Sequence, residues 1–152
     1  MLTTPGSVNW ATGGLSDPID VTAASDPVWV VISNAGRTLV TNVIEAPRLE
    51  RDADLASLGW DVVAVPWFDA DAPLRAAAEV AGVAPAELLS DQPGVGSDVT
   101  TDVVTERMAL TGPERDDLRD LGSVVASALE AGVSSWRPGR STDADVAAAI
   151  SA

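Results

Sequence analysis

Residues Pro27–Trp67 read PVWVVISNAGRTLVTNVIEAPRLERDADLASLGWDVVAVPW, and this stretch decides the fold. Val28 to Ile32 is an unbroken apolar run rich in β-branched residues, the pattern of a strand buried on both faces. Asn34-Ala35-Gly36 supplies residues that tolerate a turn, so Thr38 to Val43 is expected to return as an antiparallel partner. Between Ile44 and Leu58 the apolar positions Ile44, Leu49, Leu55 and Leu58 fit one helix or two short ones, closed by Gly59. Val62 to Val65 then resumes strand spacing. A hairpin followed by a strand–helix–strand crossover cannot bury itself, so helices elsewhere in the chain must cover the sheet. The expected class is α/β: a mixed sheet covered by helices in three layers, followed by a C-terminal helical segment.

At 152 residues the chain is long enough for one sizeable core. Apolar residues make up 46% and charged ones 21%, values of a folded chain rather than a disordered one. No apolar run is long enough to span a bilayer, and Met1-Leu2-Thr3-Thr4-Pro5 lacks the basic start and apolar run of a secretion signal. The expected location is the cytoplasm. With no cysteine and no histidine, thiolate chemistry is excluded and a self-contained hydrolase is disfavoured, carboxylate-only sites staying open. All nine basic residues are arginine, which excludes Schiff-base and P-loop lysine chemistry. A net charge of −14 argues against nucleic acid and anionic membrane as partners, since both need a positive footprint.

Upstream of the central stretch, Leu2-Thr3-Thr4 reads as the end of a strand entering a turn at Pro5-Gly6. Ser7 is placed to cap a short helix that Gly13-Gly14 ends. Leu15 to Ser25 reads as loop, with Asp17-Pro18 and Asp26-Pro27 as breakers. Downstream, Asp69 or Asp71 caps a helix with Pro73 in its first turn and Leu74, Ala77, Ala78 and Ala81 facing inward, stopped by Gly82. Pro85 to Leu89 reads as a further helical turn, and Asp91 to Ser97 as a strand edge or linker. Thr101 to Ala109 is a short helix. Thr111 and Glu114 have capping-box spacing and open a helix of about two dozen residues with Leu118, Leu121, Val125, Ala128, Leu129 and Gly132 on one face. Arg115, Asp116, Arg119 and Asp120 face water. After Arg137-Pro138-Gly139, Ser141 or Thr142 caps a last helix through Val146, Ala149 and Ile150. The domain expectation is an α/β domain over 1–97, its first strand incomplete, and a helical segment over 98–152, cut off at its end.

Three segments together resemble the pita-bread metallopeptidase superfamily of Xaa-Pro aminopeptidases, prolidases and creatinases. Asn9-Trp10-Ala11-Thr12-Gly13-Gly14 is similar to the segment after the first strand of the creatinase-type N-terminal domain. Thr41 to Glu50 resembles the strand-to-helix junction of that domain. Leu110-Thr111-Gly112-Pro113-Glu114, the long helix and Arg137 to Val146 resemble the opening of the catalytic domain, with Asp143 where the family usually has Glu. The resemblance implies the N-terminal portion of a metal-dependent Xaa-Pro aminopeptidase- or dipeptidase-like hydrolase, supplying cleft-shaping and homo-oligomer contacts. It also implies two divalent ions (Mn, Co or Zn) and a peptide substrate for a full-length parent. The family's metal ligands lie C-terminal to the matched segments, so no catalytic, cofactor-binding or metal residue is assigned in this chain.

Other candidates read as structural. Asp116, Asp117, Asp120, Asp143 and Asp145 fall at helix starts, where the dipole favours carboxylates. Gly94-Val95-Gly96 lacks the third glycine of a phosphate loop. Ser33, Ser90 and Ser123 have no base. Trp29, Trp60 and Trp67 fit core or edge packing, whereas Trp10 and Trp136 suit a contact surface. Glu45 and Arg48 fit a surface pair. Two other readings stand beside the hydrolase: a non-enzymatic dimerisation or partner-binding module of the same fold, and an unrelated α/β domain binding a ligand at the carboxyl ends of its strands.

Overall fold

The computed structural model describes residues 1–15, 22–52 and 54–152; of the expected loop from Leu15 to Ser25, residues 16–21 with Asp17-Pro18 lie outside them. The protein is mixed α/β and 48% helical. It divides into two compact units, Met1–Met108 and Ala109–Ala152.

In the first unit β1 (Trp29–Ser33) pairs antiparallel with β2 (Gly36–Asn42), with Val30 opposite Leu39 and Ser33 opposite Gly36. Helix α2 (Ala46–Asp52) then crosses to β3 (Asp61–Val65), which runs parallel to β2 with Leu39 opposite Val62. The hairpin and crossover are thus those expected, and the sheet order is β1-β2-β3. Period-2 alternation sends successive buried residues of β1 and β2 to opposite sides of the sheet. Val30 and Leu39 point to one side and join Leu2, Val8, Val28, Leu49, Leu55 and Trp60, contributed partly by α1 (Pro5–Thr12) and α2. Val31, Val40 and Val65 point to the other and meet the alanine face of α3 (Ala72–Ala81) and Leu88. Leu39 is fully buried, a contribution of about 1.5–3 kcal/mol.

Several expectations require correction. Pro5 opens α1, with Thr4 as its N-cap; proline suits the first helical position because its missing N–H would have had no partner there. Leu2 makes one antiparallel bridge to Val30. Ile32, Ile44 and Leu58, expected inside, are exposed: Ile32 sits opposite Arg37 at the turn end of the hairpin, while Ile44 and Leu58 flank α2 rather than lie on it. In the turn only Gly36 takes positive φ (143°), so Asn34 does not use its tolerance for that region. Asp71 stands at the N-cap of α3, but its side chain makes no cap bond; Asp69 Oδ1 instead accepts from the Asp71 amide (3.1 Å).

A 3₁₀ turn at Pro85–Glu87 leads to β4 (Leu89–Ser90), which pairs parallel with β5 (Ser97–Asp98). Helix α4 (Thr100–Arg107) completes this unit. The second unit is a helix pair, α5 (Gly112–Ser135) and α6 (Asp143–Ser151). Each opens with a reciprocal capping box, Thr111 with Glu114 and Thr142 with Asp145, satisfying donors that a helix start leaves free. Gly132 is buried against Val146 and Ile150, where any side chain would strike Ile150. The rest of the expected inward face is not covered: Leu118, Leu121, Val125 and Leu129 are exposed. Helical spacing identifies a face, but a nine-residue partner covers only the part of it that it reaches.

Among the described residues no helix is long and apolar enough to cross a membrane.

Candidate functional site

The strands β2 and β3 end side by side at Asn42 and Val65, and a cleft of about 190 Å³ opens beyond them. The carboxyl ends of parallel strands are where open α/β sheets place ligands, because the connecting loops diverge there. Trp29 and Trp67 line the cleft with Asp26, Thr41, Asn42 and Asp69.

Each side chain is held by a local interaction. Asn42 Oδ1 accepts from the Ile44 and Glu45 amides (2.9 and 3.1 Å), turning the chain from β2 into α2. Val43 N–H donates to the Val65 carbonyl (2.9 Å), closing the parallel pair. Thr41 Oγ1 donates to the Pro27 carbonyl (3.0 Å), and Trp29 Nε1 donates to Ser25 Oγ (3.0 Å). Asp26 is buried and its Oδ1 accepts from the Val28 amide (2.9 Å). Asp69 pairs with Arg75 at 2.5 Å. The Arg75 guanidinium, with help from the Asp71 amide, holds the Asp69 carboxyl below the usual carboxylate range. Trp67 is 65% exposed and stands edge-on to Phe68, ring centroids 5.8 Å apart. The packing expected of Trp67 is therefore not found; of the three sheet tryptophans Trp60 is in the core, with the Arg37 guanidinium 5.0 Å above its ring, and Trp29 is half-buried. The cleft offers aromatic surface with carboxylates already engaged, which suits binding rather than proton transfer.

The most heavily bonded carboxylate lies elsewhere in this unit. Asp91 is buried; its Oδ1 accepts from the Thr3 amide (2.7 Å) and its Oδ2 from Thr4 Oγ1 (2.7 Å) and the Thr4 amide (3.3 Å). Its own carbonyl accepts from Thr100 Oγ1 (3.1 Å). Burial pushes this carboxyl up, and the bonds from the Thr4 and Ser7 hydroxyls and the Thr3 and Thr4 amides more than reverse that, leaving it below its ordinary value. Because Thr4 is the N-cap of α1, Asp91 serves as a cap supplied from the bend that follows β4, with its charge at the positive end of the helix. Sequence reading placed Asp91 in an edge or linker, and no local signal marks it, since its partners are 87 and 88 residues away.

The remaining sequence candidates are not brought together. Asp116, Asp117 and Asp120 lie exposed along α5, Asp116 paired with Arg119 at 2.6 Å. Asp143 and Asp145 are in the first turn of α6, Asp145 within its capping box. Gly94 and Gly96 both have positive φ, and a side chain on Gly96 would strike the Leu88 carbonyl, so this loop is a tight structural turn. Ser90 Oγ accepts from the Gln92 amide and Ser33 Oγ from the Ala35 amide; Ser123 is exposed on α5. Glu45 and Arg48 form an ion pair at 2.9 Å. Trp10 and Trp136 are exposed. Among the described residues no group of three His, Cys, Asp or Glu is placed to hold a metal ion, so the two ions implied by the resemblance find no donor set there.

No family model, no curated protein and no solved structure matches the chain.

Proposed function

We propose that this chain is the N-terminal portion of a metal-dependent Xaa-Pro aminopeptidase- or dipeptidase-like hydrolase, a creatinase-type domain in three layers followed by the first helices of a pita-bread domain. In this role the α/β unit shapes one wall of a substrate cleft and carries oligomer contacts, while the metals belong to residues beyond Ala152. The observation that carries the reading is the order of elements: a hairpin and a crossover strand in the first unit and, in the second, two helices, each opened by a capping box and separated by Arg137-Pro138-Gly139. The three segments of resemblance fall on the end of α1, the β2–α2 junction and this helix pair. In the parent, a metal-bridged hydroxide would supply the attack on the peptide bond. The contribution of this chain is to bind and orient the substrate, with the exposed Trp67 and Phe68 as its aromatic surface.

The test is to blot the source cells with an antibody against residues 27–67 and to assay Xaa-Pro peptides with Mn²⁺ or Co²⁺. The reading expects a product of more than twice 15.6 kDa that carries the activity, and none from the 152-residue chain alone. A native product of 15.6 kDa, or metal-dependent turnover by this chain alone, overturns it. The uncovered face of α5 favours a second reading, a non-enzymatic dimerisation module of the same fold.

A further inference from the structure

Of the α-helices described in the first unit, α4 alone has no buried residue. Thr100, Val103 and Arg107 are half-buried and form one stripe at i, i+3 and i+7, and of these only Val103 packs on the core cluster of Val30 and Leu39. Polar contacts hold both ends. At the start, Thr100 Oγ1 donates to the Asp91 carbonyl (3.1 Å) and the Val99 amide to the Ser90 carbonyl (2.9 Å). At the end, Arg107 Nη1 donates to Ser7 Oγ (3.3 Å), and Ser7 in turn bonds the Asp91 carboxylate. The guanidinium sits against Gly6, where a Cβ would lie 2.5 Å from Nη2 and 3.1 Å from Cζ. Gly6 is in α1 and does not take positive φ, so the helix itself gains nothing from a glycine there. What uses the missing side chain is Arg107.

We propose that α4 is a strap that opens while the sheet stays folded, with Arg107 as its latch and Gly6 as the seat of that latch. Opening at low cost follows from the packing: a segment with little apolar burial, held by a few polar contacts, unfolds locally well below the global free energy. The eight residues of α4, once released, are too few to stay helical in water, so undocking and melting coincide. The consequence is a change of tether. With the latch closed, the free chain ahead of α5 is residues 108–111; with it open, the free chain runs from 99 to 111. Fully extended, these span about 14 Å and about 45 Å respectively. The second unit is thus held on a tether of two lengths, whatever reaction the parent performs.

Hydrogen exchange read by mass spectrometry on the whole 152-residue chain tests both parts. The amides of Val103 to Met108 should exchange more than about tenfold faster than the paired amides of β1 and β2. Arg107→Ala should speed the α4 amides about tenfold more and leave the sheet unmoved. Gly6→Ala displaces the guanidinium but keeps the arginine. It should speed α4 exchange while α1, given a better helix former, stays at least as protected as before. Trypsin should then release the fragment 1–107 about tenfold faster, because the protease must take up the freed Arg107 side chain. Exchange of α4 and the sheet in a single step would overturn the strap. Loosening of α1 together with α4 in Gly6→Ala, or no change in α4, would overturn the latch. If Gly6→Ala fails to fold, Arg107→Ala decides, since α4 exchange unmoved by it also overturns the latch.

Discussion

Replacing Asp91 by alanine should destabilise the first unit more than any other single change to a polar side chain. The substitution removes the acceptor of the fully buried Thr3 amide and of the Thr4 hydroxyl and amide. Hydrogen bonds to a charged group contribute about 1.5–3 kcal/mol each, and a buried donor left without a partner costs about 1–3 kcal/mol. These overlap, so the expected loss is about 3–5 kcal/mol. In urea, with a slope of about 1–3 kcal/mol/M, the midpoint falls by more than about 1 M. Every tryptophan except Trp136 lies in this unit, so tryptophan fluorescence reports its unfolding. The same pair of proteins carries a pH signature. The Asp91 carboxyl titrates below its ordinary value when folded, so its stabilisation is fully present above the unfolded-state value of about 3.9 and is lost as pH falls through the lower folded value. The gap between wild type and Asp91→Ala should therefore narrow below about pH 4. Asp69, Asp98, Glu114 and Asp145 are shifted the same way, but they are common to both proteins and cancel in the difference. A loss under about 1 kcal/mol, or a gap that stays constant from neutral pH to about pH 3, would refute the reasoning.

Gly96→Ala combines positive φ with a collision at the Leu88 carbonyl and should cost about 2–3 kcal/mol by thermal melting; Gly13→Ala, which meets nothing, should cost only about 1 kcal/mol. Leu39→Ala removes the most central core side chain and should cost about 2–5 kcal/mol in the urea assay. Thr142→Ala breaks the α6 capping box at about 1 kcal/mol, seen as lost far-UV helicity with the tryptophan transition unmoved.

The parts of this fold that were legible in the sequence are those set by short-range pattern. The β-branched run at Val28 to Ile32, the turn residues and the spacing to Val62 predict a hairpin and a crossover, and the structure has both. Thr111-x-x-Glu114 marks the start of α5 to the residue because a capping box is a local contact. What pattern does not carry is coverage. The spacing of Leu118, Leu121, Val125 and Leu129 identifies a face without saying what lies on it, and Ile44 and Leu58 carry the right residue type at positions the helix does not reach. Asp91 is the extreme case, an acidic residue in a Pro/Gly-rich stretch whose carboxylate is held by Thr3, Thr4 and Ser7 at the other end of the unit. The cleft beyond Asn42 and Val65 was foreseeable as a place, from the parallel crossover, but its exposed Trp67 was not.

The bond from Thr3 to Asp91 spans 88 positions of sequence, and this separation orders the assembly of the unit in time. Closing a loop of that length costs about 4 kcal/mol of chain entropy, whereas β1 and β2 meet across a two-residue turn. The hairpin therefore forms early and the clasp late, after the sheet has already drawn the chain ends together. During synthesis, residues 1 to 15 leave the ribosome long before their partner exists, and α1 waits without its distant cap. Asp91→Ala should consequently accelerate unfolding while leaving the refolding rate nearly unchanged, the mark of a contact absent from the transition state.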